Sequence, residues 1–169
     1  RAVTPESNRV IMQTALPEAM LTTYEEWTPQ AEEKLREACA WANVIAVGPG
    51  FGKSPEALRI LEAVLKQTMQ PLIIDADALN LLAAHRELLD ELIQRQQEPE
   101  TRRELILTPH PGEFGRLAEK KTDEIQKEAA ALTLEWAARL QAAFICKGAR
   151  TLVGSPEGRL YMNLTGNSG

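Results

Sequence analysis

The chain has 169 residues and a net charge of −5, a length that suits one domain with its own core. The sequence has no basic patch with interleaved aromatic residues, which argues against a nucleic-acid partner. It has no apolar run of the roughly 20 residues that a membrane span needs and no signal peptide at its start. We therefore expect a cytoplasmic protein without a membrane partner, whose two cysteines are buried thiols.

Apolar runs and amphipathic segments alternate along the chain. In chain order they predict a strand over 9–16, a polar stretch to 27, a helix over 28–41, a strand over 43–47, a helix over 54–67, a strand over 71–75, helical segments over 76–97, a strand over 105–108, a helix over 122–141 that Thr122 caps, a strand over 143–146 and a hairpin over 151–163. Repeated strand–helix–strand units predict an α/β fold, with a mainly parallel sheet and helices on both faces. We expect one domain over 1–169, with ligands at the carboxyl ends of the strands.

A glycine-rich turn follows the strand predicted over 43–47. Gly48, Gly50 and Gly52 precede a helix, so the backbone can approach a ligand closely and the helix start can offer N–H groups to an anion. An ordinary tight turn is the alternative. Pro49 stands between the glycines, and the segment does not match the dinucleotide-binding G-x-G-x-x-G pattern.

Two carboxylates and an amide follow the strand predicted over 71–75. Asp75 or Asp77 could cap the next helix, with Asn80 one turn further along. An acid at the end of the second strand of a βαβ unit could also bind a ribose hydroxyl. That possibility keeps a Rossmann oxidoreductase open as an alternative.

A histidine between two prolines follows the strand predicted over 105–108. Pro109 and Pro111 stiffen the backbone around His110, which makes this imidazole a candidate ligand contact. Glu113 and Arg116 lie one helical turn apart and could pair, or the arginine could reach a phosphate. The other histidine, at position 85, is interpreted as a solvated helix residue.

Two further polar segments lie near the end of the chain. Lys147, Gly148 and Thr151 follow a strand and could hold the phosphates or sugar of a nucleotide, although an ordinary charged turn would look the same. The last seven residues form a small, polar, glycine-bearing loop.

Taken in order, the motifs VGPGFG, DADALN, LTPHPGEFGRL, KGARTLV and NLTGNSG resemble those of the NAD(P)H-hydrate dehydratase family. The resemblance covers about 44–169 and is only general before that. It implies a ribokinase-like fold, a homo-oligomer and the repair of hydrated NADH or NADPH with ADP or ATP and Mg²⁺. Hydroxide is a poor leaving group, so phosphorylating the ring hydroxyl makes its elimination feasible; that transfer mainly needs positioning and charge stabilisation.

The resemblance also implies a role for each matching residue. It assigns hydrate contacts to Gly48, Gly50, Gly52, His110, Pro111, Gly112, Glu113, Phe114, Gly115 and Arg116; nucleotide contacts to Lys147, Gly148, Ala149, Arg150, Thr151, Asn163, Thr165, Gly166 and Asn167; and a place near the phosphates and Mg²⁺ to Asp75, Asp77 and Asn80. Phe51 stands where the family usually has leucine, an apolar replacement that we expect to be tolerated.

One departure from the family pattern concerns catalysis. In the family the TGNxG loop continues to a GxGD turn, whose aspartate is the presumed base, whereas this sequence ends at Gly169. We therefore expect a domain truncated at both ends, with no catalytic residue and no activity alone. A ribokinase-like kinase of a vitamin precursor and a non-catalytic nucleotide-binding module remain the alternatives.

Overall fold

The computed structural model describes residues 1–165 and builds them into strands and helices connected by short loops. In chain order these are β1 (Ala2–Pro5), α1 (Arg9–Ala15), β2 (Leu21–Tyr24), α2 (Pro29–Trp41), β3 (Ile45–Val47), α3 (Pro55–Gln67), β4 (Leu72–Ile74), α4 (Ala76–Ala84), α5 (Arg86–Gln97), β5 (Leu105–Leu107), α6 (Pro111–Ala118), α7 (Thr122–Lys127), α8 (Ala129–Leu140), β6 (Ala143–Cys146), β7 (Leu152–Gly154) and β8 (Leu160–Met162). None of the helices in this range is long and apolar enough to span a bilayer.

The main sheet has six strands in the order β3-β4-β5-β6-β7-β8. Strands β3 to β6 pair in parallel, and β7 and β8 then form an antiparallel hairpin beside β6. Gly158, with a φ of +82°, lies in the hairpin turn. The mainly parallel α/β fold predicted from the sequence is therefore confirmed.

The core lies on one face of this sheet. Leu72, Ile74 and Leu107 are almost completely buried beneath the helices, and Thr28 and Ser54 cap α2 and α3. Side chains alternate between faces along a strand, and Ile73 and Ile106, on the opposite face, are only partly buried. A layer of helices over that second face stays a prediction.

The strand predicted over 9–16 is wrong, because this segment forms helix α1. The preceding residues form β1, which pairs in parallel with β2, and β2 lies in the stretch predicted to be only polar. Two parallel strands cannot be joined by a tight turn and need a crossover, usually a helix. The β-branched pair Val10 and Ile11 favoured a strand, but the helix buries none of its residues.

The single helix predicted over 122–141 is two helices. At Glu128 the backbone leaves helical geometry, with φ −109° and ψ 14°, so α7 ends and α8 begins there. Helix α7 packs on α6, whereas α8 packs on β6 and β7, and the break lets each helix follow its own neighbour. The capping position of α7 is Lys121, so the predicted cap at Thr122 is also wrong.

A buried arginine closes the carboxyl end of α3. Arg103 donates to the Leu65 carbonyl oxygen at 2.8 Å and to the Thr68 hydroxyl at 3.0 Å. Burial, followed by the nearby positive charge of Arg95, lowers the pKa of the Arg103 guanidinium to about 10. The group therefore stays charged at neutral pH and satisfies acceptors that the end of a helix leaves open.

Replacing Arg103 with methionine is expected to lower the free energy of unfolding by about 2 kcal/mol, because buried acceptors lose charged donors. The matched control is Arg102→Met, since Arg102 is the exposed neighbour in the same loop; its effect should stay within about 0.5 kcal/mol. Urea unfolding of both variants measures the difference, and equal midpoints would contradict the role of Arg103.

Candidate nucleotide and substrate site

The polar segments predicted from the sequence come together at the carboxyl edge of the parallel strands. Each strand end is bonded to its neighbour there: the Asp75 amide donates to the Val47 carbonyl at 3.1 Å, and the Lys147 amide donates to the Pro109 carbonyl at 2.8 Å. The glycine turn, the start of α4, the start of α6 and the segment after β6 therefore share one edge, where such folds bind ligands.

The glycine turn lies directly against the end of β4. Gly48 is buried and has a φ of +124°, and a Cβ at this position would lie only 1.8 Å from the Asp75 carbonyl oxygen. Only glycine fits both this backbone conformation and this close approach. Phe51, in the same turn, lies partly buried and packs against the core. An apolar side chain suits this position.

An ion pair links the ends of β4 and β6. The Lys147 ammonium donates to Asp75 Oδ1 at 2.5 Å, and the same oxygen accepts the Ala76 amide at 2.8 Å, which caps α4. Partial burial raises the pKa of Asp75, but hydrogen bonds from Lys147, Thr108 and the Ala76 amide lower it more, so the net pKa lies below its usual value. Asp75 is thus a charged acceptor that links the start of α4 to Lys147.

The other two polar side chains of the DADALN motif hold different segments. Asp77 Oδ2 accepts the Gly52 amide at 3.0 Å, and Asn80 Oδ1 accepts from Arg116 Nε at 2.7 Å. The predicted alternative in which Glu113 pairs with Arg116 is wrong, because the arginine is bonded to Asn80 instead. Arg116 itself is exposed at the carboxyl edge of the parallel strands, here called the cleft.

His110 caps helix α6. Its Nδ1 accepts the amides of Gly112 and Glu113 at 3.0 and 3.4 Å, and the Glu113 carboxylate accepts the His110 amide at 2.9 Å. The His110 Nε2 lies 3.3 Å from Glu113 Oε1. The imidazole is half exposed, so a ligand can reach it, but a hydrogen bond to Nε2 would have to be shared with Glu113 or replace it.

Two residues predicted as hydrate contacts belong to the core. Phe114 is completely buried, with its ring centroid 4.8 Å from that of Phe144 and 5.9 Å from that of Trp136. Gly115 is buried too, and a Cβ there would lie 2.8 Å from the Lys120 carbonyl. Both residues therefore have a packing role, and their role as hydrate contacts stays a prediction. Pro111, Gly112 and Arg116 of this segment lie nearer to solvent.

A cavity of about 350 Å³ opens beside the segment after β6. Pro111, Ile125, Ala129, Lys147, Leu152 and Met162 are among its lining residues. Gly148, Ala149 and Arg150 also contribute to the wall. Small-molecule pockets are mostly apolar, with a few placed polar groups, and measure about 300–1,000 Å³. This cavity combines apolar walls with a lysine at its edge.

The segment after β8 lies close to the same cavity. The Asn163 amide donates to the Thr151 carbonyl at 2.9 Å, and the Thr165 amide and hydroxyl donate to Asn163 Oδ1 at 3.1 and 2.8 Å. These bonds place the predicted nucleotide contacts Thr151, Asn163 and Thr165 together. The predicted contacts Gly166 and Asn167 lie outside the described residues.

A larger cavity, of about 620 Å³, lies between β1 and β3. Gly48, Pro49, Gly50 and Phe51 form part of its wall. Within residues 1–165, His110 and Arg116 line neither cavity. The structure therefore places the predicted hydrate contacts along one edge of the sheet, and neither of these two cavities holds all of them.

The fold agrees with what comparison to known proteins finds. A family profile described as NAD(P)H-hydrate dehydratase matches residues 1–169. The chain belongs to this family. The match extends over the first 43 residues, where the motifs alone show only a general resemblance, and it disfavours the Rossmann alternative.

Individual relatives support the same assignment. The chain is 34% identical to the ADP-dependent (S)-NAD(P)H-hydrate dehydratase of Bacillus subtilis, over 90% of this chain and 48% of that protein. It is 35% identical to the bifunctional NAD(P)H-hydrate repair enzyme Nnr of Moorella thermoacetica, over 94% of this chain and 28% of that protein. The chain thus spans at most about half the length of these relatives.

A solved structure extends the likeness to three dimensions. The Bacillus subtilis ADP/ATP-dependent NAD(P)H-hydrate dehydratase, co-crystallised with ATP/Mg²⁺, superposes with a TM-score of 0.71 at 31% identity, covering 98% of this chain and 53% of that one. A ribokinase-like superfamily protein of Enterococcus faecalis gives a TM-score of 0.72 at 27% identity, over 98% of this chain and 52% of that one. The fold is therefore ribokinase-like.

Proposed function

We propose that this chain carries the nucleotide and substrate contacts of an ADP- or ATP-dependent NAD(P)H-hydrate dehydratase. The observation that supports the proposal most directly is Lys147, which lines an apolar cavity and is also anchored at the carboxyl edge of the sheet by Asp75. An adenine base suits the apolar wall, and the ammonium suits a phosphate. The homologue co-crystallised with ATP/Mg²⁺ supports the same ligand class.

The proposed reaction proceeds in two steps. The hydroxyl oxygen of the hydrated ring attacks the terminal phosphorus of the nucleotide and gives up its proton to a general base. A new P–O bond forms and the bond to the neighbouring phosphate breaks, which leaves AMP from ADP or ADP from ATP. Elimination then breaks the ring C–O bond, and phosphate departs with that electron pair. Loss of a proton from the adjacent ring carbon restores the double bond of NADH or NADPH.

This chain contributes binding and orientation to that reaction. Lys147 is proposed to bind the phosphates, while the glycine turn, His110 and Arg116 are proposed to hold the hydrate at the same edge of the sheet. Phosphoryl transfer depends mainly on such positioning and on charge stabilisation. The family resemblance assigns the general base to a GxGD turn, and no residue of this chain is proposed as that base.

Mg²⁺ is proposed to arrive with the nucleotide. Asp75 is engaged by Lys147 and Asp77 by the Gly52 amide, and within residues 1–165 no group of three acidic, histidine or cysteine side chains is placed to hold a metal. Mg²⁺ usually keeps several waters and is bound through substrate phosphates with one or two carboxylates. When bound, it would neutralise phosphate charge.

The proposal includes a cytoplasmic homo-oligomer. The two free thiols Cys39 and Cys146 are buried, and burial raises the pKa of both. Such unreactive thiols suit a reducing compartment. Light scattering of the native protein tests the oligomeric state, and a monomer would remove that part of the proposal.

Replacing Lys147 with alanine is expected to weaken the binding of ADP and ATP about tenfold, since a charged contact to phosphate is lost from a partly exposed site. Calorimetric titration of the native protein with each nucleotide measures the change. Lys66→Ala removes the same charge from α3, where Lys66 pairs with Glu91 away from the cleft, and should leave both affinities unchanged. Unaltered affinity in Lys147→Ala would count against the nucleotide assignment.

A further inference from the structure

The start of α4 carries three partly buried polar side chains, and each accepts a hydrogen bond from another segment of the protein. Asp75 accepts from Lys147, Asp77 accepts from the Gly52 amide, and Asn80 accepts from Arg116. Each of the three partners lies on a different segment of the ligand edge. This turn is therefore a junction through which three ligand-facing segments are held.

Asp75 is the most firmly fixed of these acceptors. Its amide is bonded to the end of β3, its carboxylate caps α4, and its carbonyl abuts Gly48. The next residue, Ala76, has a φ of +49°. Alanine rarely adopts this left-handed conformation, and such strain persists only where the surroundings impose it. The position of the carboxylate is thus set by the backbone on both sides.

Lys147 reaches Asp75 across an intervening strand. The two residues follow β6 and β4, and β5 lies between these strands, so the lysine side chain spans about two strand spacings of roughly 4.8 Å each. A free lysine samples many rotamers. The ion pair selects one of them, while the side chain remains 40% exposed, which leaves the other ammonium protons accessible to a phosphate.

We propose that Asp75 is a positioning residue that holds the Lys147 ammonium on the phosphate of the bound nucleotide. The inference rests on the proposed function, because it requires Lys147 to bind that phosphate. Asp75 acts through Lys147 and touches neither ligand.

The two effects of Asp75 on a phosphate have opposite signs. Its negative charge repels the nucleotide, so neutralising it strengthens ground-state attraction at the cleft. Its charge-assisted hydrogen bond fixes the ammonium, so weakening that bond loosens the position of a group that stabilises charge in the transition state. An Asp75→Asn variant should therefore lower turnover without weakening nucleotide binding, a combination that general structural damage does not produce.

The experiment is a double-mutant cycle on the native protein, with Asp75→Asn, Lys147→Ala and the pair combined. Asparagine is isosteric and an equally good helix cap; should Asp75→Asn misfold, Asp75→Ser replaces it as another strong cap. We expect Asp75→Asn to lower kcat on hydrated NADH about tenfold, with nucleotide affinity equal or tighter. In the Lys147→Ala background the same substitution should change kcat less than about twofold, because coupled residues are not additive.

Asp77→Asn is the matched control, since Asp77 is a neighbouring carboxylate bonded to Gly52 instead of Lys147. Its effect on kcat should multiply fully with that of Lys147→Ala. The inference is overturned if Asp75→Asn also multiplies fully with Lys147→Ala, or if it weakens nucleotide binding. If the unmodified protein does not dehydrate hydrated NADH or NADPH, the proposed function fails; a failed cycle in an active protein removes only the role of Asp75.

Discussion

Replacing Gly48 with alanine is expected to lower the free energy of unfolding by about 4 kcal/mol, well above the loss of about 2 kcal/mol expected for Arg103→Met. The added Cβ would lie 1.8 Å from the Asp75 carbonyl oxygen and 3.0 Å from the Ala78 side chain. The first overlap is with backbone at the end of β4, so no side-chain rotation relieves it. A φ of +124° adds strain for any L-residue.

Gly158→Ala is the matched control for this prediction. Gly158 also has a positive φ, of +82°, but nothing lies within 4 Å of the position that an added methyl group would take, so the cost should be only about 1–2 kcal/mol of backbone strain. Urea unfolding of both variants separates close approach from conformation. Equal losses of stability would mean that the contact between the glycine turn and Asp75 relaxes without cost.

The strands of the main sheet were predictable from the sequence, whereas part of the N-terminal region was not. Strands β3 to β5 are short continuous apolar runs, such as 45–47 and 72–74, and such runs are typical of strands in a parallel sheet. Helix α1 buries none of its residues, and its sequence therefore carries no helical period. The helix follows instead from the parallel pairing of β1 with β2, which requires a crossover between them and cannot be read from the local sequence.

The site was predictable to the extent that it depends on strand ends. Asp75, His110 and Lys147 each follow a strand, and in a parallel sheet those ends share an edge. The pairing of Asp75 with Lys147 also requires the strand order, since β5 lies between their strands. The exposure of each residue in α6 could not be predicted without the orientation of that helix, which turns Phe114 into the core while His110 stays half exposed.

The histidine provides the second large expected effect. We expect His110→Asn to lower kcat/KM on hydrated NADH by on the order of tenfold to a hundredfold, because one substrate hydrogen bond is lost, while ADP affinity stays nearly intact. The imidazole lies at the start of α6, whereas the proposed nucleotide contact Lys147 follows β6. Steady-state kinetics with the hydrate and calorimetry with ADP make the two measurements on the native protein.

Asparagine is chosen because His110 also caps α6 through Nδ1. Asparagine keeps a cap acceptor, whereas His110→Ala removes it and should cost about 1 kcal/mol of stability. Reduced turnover in both variants, with stability lost only in the alanine variant, would assign the imidazole to the substrate. Full activity in His110→Asn would instead limit His110 to the helix cap. A collapse of ADP binding with hydrate kinetics preserved would mean that the two ligands occupy each other's proposed places.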